Sequence, residues 1–229
     1  MIVYGRNPVR EAIRGARTVR RIWATKNASR EPWIEAAGIL VSIESAEQLA
    51  RRAASEEHQG ICAEVSEFRY ADADALLTLE APLIVVLDQV QDPQNLGAIC
   101  RTAECAGASA VVIPERRSAE ITPSVCKASA GAVEHLPVAR VRNLADFLLA
   151  AKHAGVWCYG ADADGGISYA EIDYAGPVAL VLGSEGRGLR PRVAAACDAL
   201  VALPLRGRIE SLSVSAAAAV LLYAAGRAR

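Results

Sequence analysis

From residue 83 onward the chain is punctuated by five short, almost unbroken apolar runs, at 83–87, 110–113, 156–160, 178–182 and 200–203. A strand exposed on one face alternates polar with apolar residues. Runs without that alternation belong to strands covered on both faces, as in a parallel sheet. The stretches between them carry helical signals. The clearest begins at the cap residue Asn143, repeats apolar residues at Leu144, Phe147, Leu148 and Ala151, and stops at Gly155. Strands alternating with helices predict a doubly wound parallel-sheet α/β domain over 83–229.

The first part of the chain reads as a separate, small α/β unit over 1–66. Asn7-Pro8 opens a helix with a cap and a proline at its first position. Strands are expected at 19–24, 39–43 and 60–65. Between the last two, Ser45 with Gln48 forms a capping-box signature for a helix through Ala54. Residues 67–82 turn polar and irregular, end in Ala81-Pro82, and are expected to be a linker.

Charge and cysteine usage narrow the function. The net charge is −1, poor support for a polyanion partner, yet residues 1–30 hold eight Lys and Arg against the single acid Glu11. A local basic patch of that kind binds phosphates while the whole chain stays neutral; a solvated charged face is the equal alternative. The six cysteines form no C-x-x-C pair, and with three histidines no zinc spacing arises. No metal is expected, and a reduced, cytoplasmic protein is. There is no apolar signal-peptide core. The longest apolar stretch, 214–225, is short of the roughly 20 residues a membrane helix needs, so no membrane partner is expected. It reads as a helix buried against the sheet or a second subunit.

Three segments place polar residues and glycines where an apolar strand gives way to a loop or helix, the edge where open α/β sheets bind ligands. The first is Asp92-Pro93-Gln94-Asn95-Leu96-Gly97-Ala98-Ile99-Cys100-Arg101. A helix from about Asn95 would bury Leu96, Ile99, Cys100 and Ala103 and turn Arg101 away from the core. In isolation Asn95 reads as a helix cap and Arg101 as a surface partner of Glu104. The second is Gly183-Ser184-Glu185-Gly186-Arg187-Gly188 after Leu182, whose glycine order is the reverse of a dinucleotide fingerprint and lacks the Lys of a P-loop. The glycines fit a tight turn; the acid between them suggests a hydrogen-bonding task. The third runs from Leu203-Pro204-Leu205 across the basic Arg206-Gly207-Arg208 to Glu210-Ser211-Leu212-Ser213-Val214-Ser215, whose serines are alternative helix caps.

In this order and spacing the segments resemble the signature motifs of the SpoU (TrmH-type) RNA ribose methyltransferases of the SPOUT class. Asn95, Gly97 and Arg101 match N-x-G-x-x-x-R. Gly183, Glu185, Gly186 and Gly188 match G-x-E-G-x-G. The third matches P-x-x-G-x-x-x-S-L-N-V-S, with Ser213 in place of the family's usual asparagine. The run 127–137 also fits, and Tyr4-Gly5-Arg6-Asn7-Pro8 with His58-Gln59-Gly60 is similar to the N-terminal substrate-binding domain of the RlmB-like branch, which methylates a guanosine ribose in 23S ribosomal RNA.

The resemblance implies a deep trefoil knot, bound S-adenosylmethionine, a homodimer packed through helices beside the cofactor, and ribosomal RNA as the partner. It implies Arg101, Asn95, Glu185 and Ser213 as catalytic residues. Gly183, Leu203, Leu212, Ser211 and Leu182 are expected to hold the cofactor, and Arg6, Arg10, Arg14 and Arg206 the RNA. The family assigns removal of the ribose proton to the arginine matching Arg101. A guanidinium is effectively always protonated, so the role expected here is to hold a phosphate and stabilise the developing alkoxide. A tRNA ribose methyltransferase, a non-catalytic RNA-binding assembly factor that kept the fold, and an ordinary Rossmann-type nucleotide enzyme remain as alternatives.

Overall fold

A computed structural model of the chain describes residues 1–209 and 211–227; Glu210 of the third motif lies outside the described residues. The first sheet joins β1 (Ile2–Tyr4), β2 (Val19–Ala24), β3 (Val41–Ile43) and β4 (Ile61–Val65) in the order β1-β4-β2-β3. Around it lie α1 (Arg6–Arg14), α2 (Pro32–Glu35) and α3 (Ala46–Ala53). The capping box of α3 forms in both directions, with Gln48 N–H donating to Ser45 Oγ at 3.3 Å and Ser45 N–H to Gln48 Oε1 at 2.8 Å.

The second part, after α4 (Ala73–Leu76), holds β5 (Leu83–Leu87), α5 (Pro93–Cys105), β6 (Ala110–Pro114), α6 (Pro123–Ala128), β7 (Val138–Val141) and α7 (Leu144–His153). β8 (Trp157–Ala161), β9 (Ile167–Ser168), β10 (Val178–Leu182), α8 (Pro191–Ala196), β11 (Ala199–Ala202) and α9 (Val214–Gly226) complete it. The seven strands are all parallel, in the order β7-β6-β5-β10-β8-β11-β9. The pleat sorts the apolar runs into two cores. Leu83, Val85 and Leu87 pack on one face with Leu96, Ile99, Leu221 and Leu222 of α5 and α9. Ile84 and Val86 pack on the other with Leu144, Leu148 and Val193 of α7 and α8. This double cover makes the runs continuous in sequence. The edge strands β7 and β9 were not expected: the first carries an exposed arginine, Arg140, and the second is two residues long.

The chain winds outward from β5 through β6 to β7, then crosses to β8, and β10 is laid between β5 and β8. The topological switch point therefore falls at the carboxyl ends of β5 and β10, where a doubly wound sheet leaves a crevice. Both leading motifs begin there.

The segment expected as an irregular linker is packed. It contains α4, buries Leu76, and pairs Ala71 with Ala139 of β7. Arg17 reaches out of the first domain to ion-pair with Glu134, whose side chain is 1% exposed, with Nε donating to Oε2 at 2.8 Å. Arg17 also donates to the Ser66 carbonyl at 3.4 Å and lies over the Phe68 ring at 5.7 Å. Glu11 on α1 meets His135 Nε2 at 3.0 Å. Val3, Val9 and Val65 of the first domain share one hydrophobic cluster with Leu96, Val125 and Val133 of the second.

Candidate active site

The loop after β10 is a tight turn closed on itself. Ser184 N–H donates to the Gly188 carbonyl at 3.1 Å and Gly188 N–H returns to Ser184 at 3.0 Å. Gly188 takes φ +61°, a left-handed conformation that glycine adopts without steric cost. Gly183 is required for a different reason: a Cβ there would stand 2.1 Å from the Gly188 carbonyl carbon. The loop is anchored by Asp88, fully buried at the end of β5. Its N–H donates to the Leu182 carbonyl at 2.7 Å, and its carboxylate accepts from Arg190 N–H at 2.9 Å and Arg190 Nε at 2.7 Å. A carboxylate removed from water needs such charge-assisted bonds. They fix the far end of the loop against the neighbouring strand.

The start of α5 differs from expectation in an informative way. Asp92 is the cap, its Oδ1 accepting from Gln94 N–H at 3.0 Å, with Pro93 at the first helical position. Asn95 is therefore inside the first turn with its amide free for other work. Its Nδ2 donates to Glu185 Oε1 at 3.1 Å, and its Oδ1 accepts from Ser215 Oγ at 3.0 Å. Glu185 Oε1 also accepts from the backbone N–H of Val214 at 3.3 Å. That N–H opens α9 and has no intrahelical partner, and a carboxylate suits the positive end of a helix. One glutamate oxygen thus ties the second motif to the first and the third.

Ser213 is the cap of α9: its Oγ accepts from Ala216 N–H at 3.2 Å and lies 3.2 Å from Ser215 Oγ. Serine and asparagine cap helices about equally well, which accounts for serine at a position where the family pattern has asparagine.

Beneath this network is a cavity of about 330 Å³, within the range of small-molecule sites. Leu182, Gly183, Leu203, Ser211 and Leu212 line it, so the geometry gathers all five residues expected to hold a cofactor. Among the described lining residues the charged groups are Asp162 and Glu185, with no cation. The sequence reading missed Asp162 and Asp88. Both follow an apolar strand at its carboxyl end, and applying the edge rule to every strand, rather than to three motifs, flags them.

Arg101 is exposed on α5, about one and two-thirds turns beyond Asn95, and is not among the residues lining its own chain's cavity. It forms no ion pair among the described residues, so the pairing with Glu104 that the motif suggests in isolation is absent. Cys100 beside it is fully buried, and burial pushes its thiol up to about 12, which removes it as a nucleophile at neutral pH. The arginines expected to bind RNA divide. Arg206 is exposed in the loop between Leu203 and Ser211. Arg6 pairs with Glu31 at 3.0 Å, and Arg10 and Arg14 with Glu11 at 3.0 and 3.2 Å. These three lie on α1, beside the domain junction and apart from the cavity.

Residues 82–223 match the model of the SpoU rRNA methylase family, and residues 2–71 match that of the RNA 2′-O ribose methyltransferase substrate-binding domain. A Bacillus subtilis protein, YacO, assigned to the TrmH family of tRNA/rRNA methyltransferases, is 39% identical over 99% of this chain and 95% of its own. An uncharacterized tRNA/rRNA methyltransferase of Mycolicibacterium vanbaalenii is 40% identical over 100% of this chain and 76% of its own. Among solved structures, an rRNA methyltransferase from Sinorhizobium meliloti with bound AdoMet superposes with a TM-score of 0.83 at 29% identity, covering 99% of this chain and 86% of that one. AviRb, a SpoU methyltransferase from Streptomyces viridochromogenes crystallised with AdoMet, also gives 0.83 at 25% identity, covering 99% and 89%. The chain belongs to the SpoU family of RNA methyltransferases.

Proposed function

We propose that this protein transfers a methyl group from S-adenosylmethionine to a ribose 2′-hydroxyl of RNA, with a guanosine of 23S ribosomal RNA as its target, working in the cytoplasm as a homodimer. The observation that carries the reading is the Glu185 node. Asn95, Glu185, Ser215 and the start of α9 are joined by hydrogen bonds of 3.0 to 3.3 Å at the mouth of one cavity.

The cavity suits the cofactor. Leu182, Val201, Leu203, Leu205 and Leu212 offer apolar walls for a flat ring, and the two carboxylates without a cation suit a sulfonium. S-adenosylmethionine supplies a methyl group already activated for transfer. This chain's residues supply position and charge. Backbone at Gly183, Leu203 and Leu212 borders the cofactor space, and Ser211 and Glu185 shape it. Asn95, held at both ends of its amide, sets where the ribose lies. Arg101 carries a permanent positive charge with no carboxylate paired to it among the described residues. It is therefore available to a phosphate and to the alkoxide that forms as the hydroxyl proton leaves.

The dimer packs through α9, whose outward face presents Val220 and Tyr223, the latter 56% exposed. The loops 183–190 and 203–213 belong to the trefoil knot in this reading. The chain divides into a substrate-binding domain over 1–66, a connection over 67–82 and the catalytic domain over 83–229.

Ribose-methylation mapping of ribosomal and transfer RNA from cells with and without the protein tests the assignment. Loss of one 2′-O-methylguanosine from 23S RNA is the expected result. Loss confined to tRNA would move the substrate, and no loss in either RNA would end the transfer reading. Arg101→Ala should abolish turnover while S-adenosylmethionine binding, measured by calorimetry, persists. Full activity in Arg101→Lys would sink the role given to the planar guanidinium.

A further inference from the structure

In the first domain Arg6, Arg10, Arg14, Arg17, Arg20 and Arg52 each face a glutamate, Arg10 and Arg14 sharing Glu11, while Arg21, Lys26, Arg30 and Arg51 form no ion pair among the described residues. In the loops leaving the large sheet Arg190 is paired with Asp88, and the other arginines are not paired. Arg116 and Arg117 after β6, Arg142 after β7, Arg187 after β10, and Arg206 and Arg208 after β11 are exposed and form no ion pair among the described residues. All seven strands of this sheet are parallel, so these loops share its carboxyl edge, and the cavity opens on the same edge. From β7 to β11 there are five inter-strand steps of ~4.8 Å, a track about 24 Å long. A track of that length suits a run of phosphates and is far longer than a single anion requires.

The tip at Arg116 and Arg117 is built into the active-site end of the molecule. Ala119 N–H donates to the Val90 carbonyl at 2.9 Å and Ser118 Oγ to the same carbonyl at 3.2 Å. Gln91 Nε2 reaches the Arg117 carbonyl at 3.5 Å. The tip is thereby seated on the loop that launches α5 and Asn95. Arg117 holds φ +59°, where glycine is relaxed and a long side chain is not. A strained, exposed arginine at such a place is an outlier that invites a functional explanation.

The geometry points to the carboxyl edge of the large sheet, anchored by Arg116 and Arg117, as the surface that grips the phosphodiester backbone of the RNA substrate. This adds an RNA-binding face to the basic N-terminal stretch, and it rests on the methyltransferase reading above.

The test uses full-length protein and protein-free 23S ribosomal RNA from cells lacking it, with binding followed across a salt series. In Arg116→Ala/Arg117→Gly the slope of log affinity against log salt should flatten by ~0.7 to 0.9 for each phosphate no longer neutralised, and affinity should fall ~10-fold near physiological salt. S-adenosylmethionine binding should not change, and thermal stability should not fall, since glycine relieves the strain at 117. Lys152→Gln removes one cation at the opposite edge of the sheet, at the end of α7, and should keep the wild-type slope. An unaltered slope in the double variant, or an equal flattening in Lys152→Gln, overturns the inference while leaving methyl transfer intact. A wild-type protein that binds the cofactor but no RNA would instead bring down the reading beneath it.

Discussion

Replacing Gly183 by alanine tests whether the closed turn after β10 forms the cofactor site. The added Cβ would lie 2.1 Å from the Gly188 carbonyl carbon, 2.3 Å from its oxygen and 2.5 Å from the Leu189 nitrogen. Non-bonded carbons settle near ~3.5 Å, so the opposing limb must retreat by more than an ångström. All three atoms are backbone, and no side chain can swing aside. That displacement breaks the reciprocal Ser184–Gly188 pair, whose bonds measure 3.1 and 3.0 Å. Two neutral hydrogen bonds are worth about 2 kcal/mol together. If the cofactor must rebuild the turn, its affinity falls by roughly 30-fold, at a tenfold change per 1.4 kcal/mol. Isothermal calorimetry with S-adenosylmethionine reads this directly. Urea unfolding of the same variant separates a local loss from a global one, because the ion pair of Arg190 with the buried Asp88 lies outside the turn and should hold the rest of the sheet. Wild-type affinity in Gly183→Ala would refute the claim that the closed turn forms the site.

Three further outcomes follow from the packing and titration of the chain. Gly97→Ala gains about 1 kcal/mol of helix propensity, but its Cβ would meet the Ala128 Cβ at 2.4 Å and Ser129 N at 2.9 Å; overpacking of ~1 to 3 kcal/mol should leave it less stable in urea, and a variant as stable as the parent would show that α5 and α6 are not held this closely. Burial pushes the thiols of Cys100, Cys158 and Cys197 up to about 12 and those of Cys62 and Cys126 up to about 11, while Cys105 is exposed; a thiol reagent at pH 8 should label Cys105 fast in the folded protein, and rapid labelling of several cysteines would contradict the packed core. For Glu11, burial opposes ionisation, but hydrogen bonds from His135 and Arg10 and the charges of Arg14 and Arg10 hold its carboxyl below the ordinary 4.5. Its contribution is therefore complete above that value and fades as pH falls through the lower folded one. The stability gap between wild type and Glu11→Gln should close as pH falls below Glu11's ordinary value, and a gap that widens in acid would reverse the sign of the argument.

Much of the fold is legible because burial leaves a simple trace. Strands β5, β6, β8, β10 and β11 are covered on both faces, and the capping box at Ser45 and Gln48 is read from two residues. The candidate site is legible where glycines and an acid interrupt apolar runs. Long-range pairing is not legible. Nothing near Asp88 in the chain announces Arg190, which lies 102 positions away, and counting the charges of α1 does not reveal that Glu31 and Glu11 absorb them. Asn95 reads as a cap only if Asp92-Pro93, the stronger cap-and-proline pattern, is passed over. The polar stretch 67–82 conceals its order because its anchors lie far along the chain: Phe68 lies against Arg17, the Tyr70 hydroxyl accepts from Ile121 N–H and its ring meets Arg140 of β7, and Leu76 packs in one cluster with Ala139. Ser213 looks like a defect in a motif until its hydroxyl is seen to close the first turn of α9.

The junction at Arg17 has a mechanical consequence. A guanidinium sealed against Glu134, inside a cluster continuous from Val3 to Val133, leaves no hinge about which the small sheet swings independently of the large one. Under the proposed function, RNA held by the small sheet would be presented to Asn95 and the methyl donor at a set span, as between the jaws of a fixed caliper. Choosing the nucleotide would then fall to the folded shape of the RNA, which must bring the right sugar to that distance.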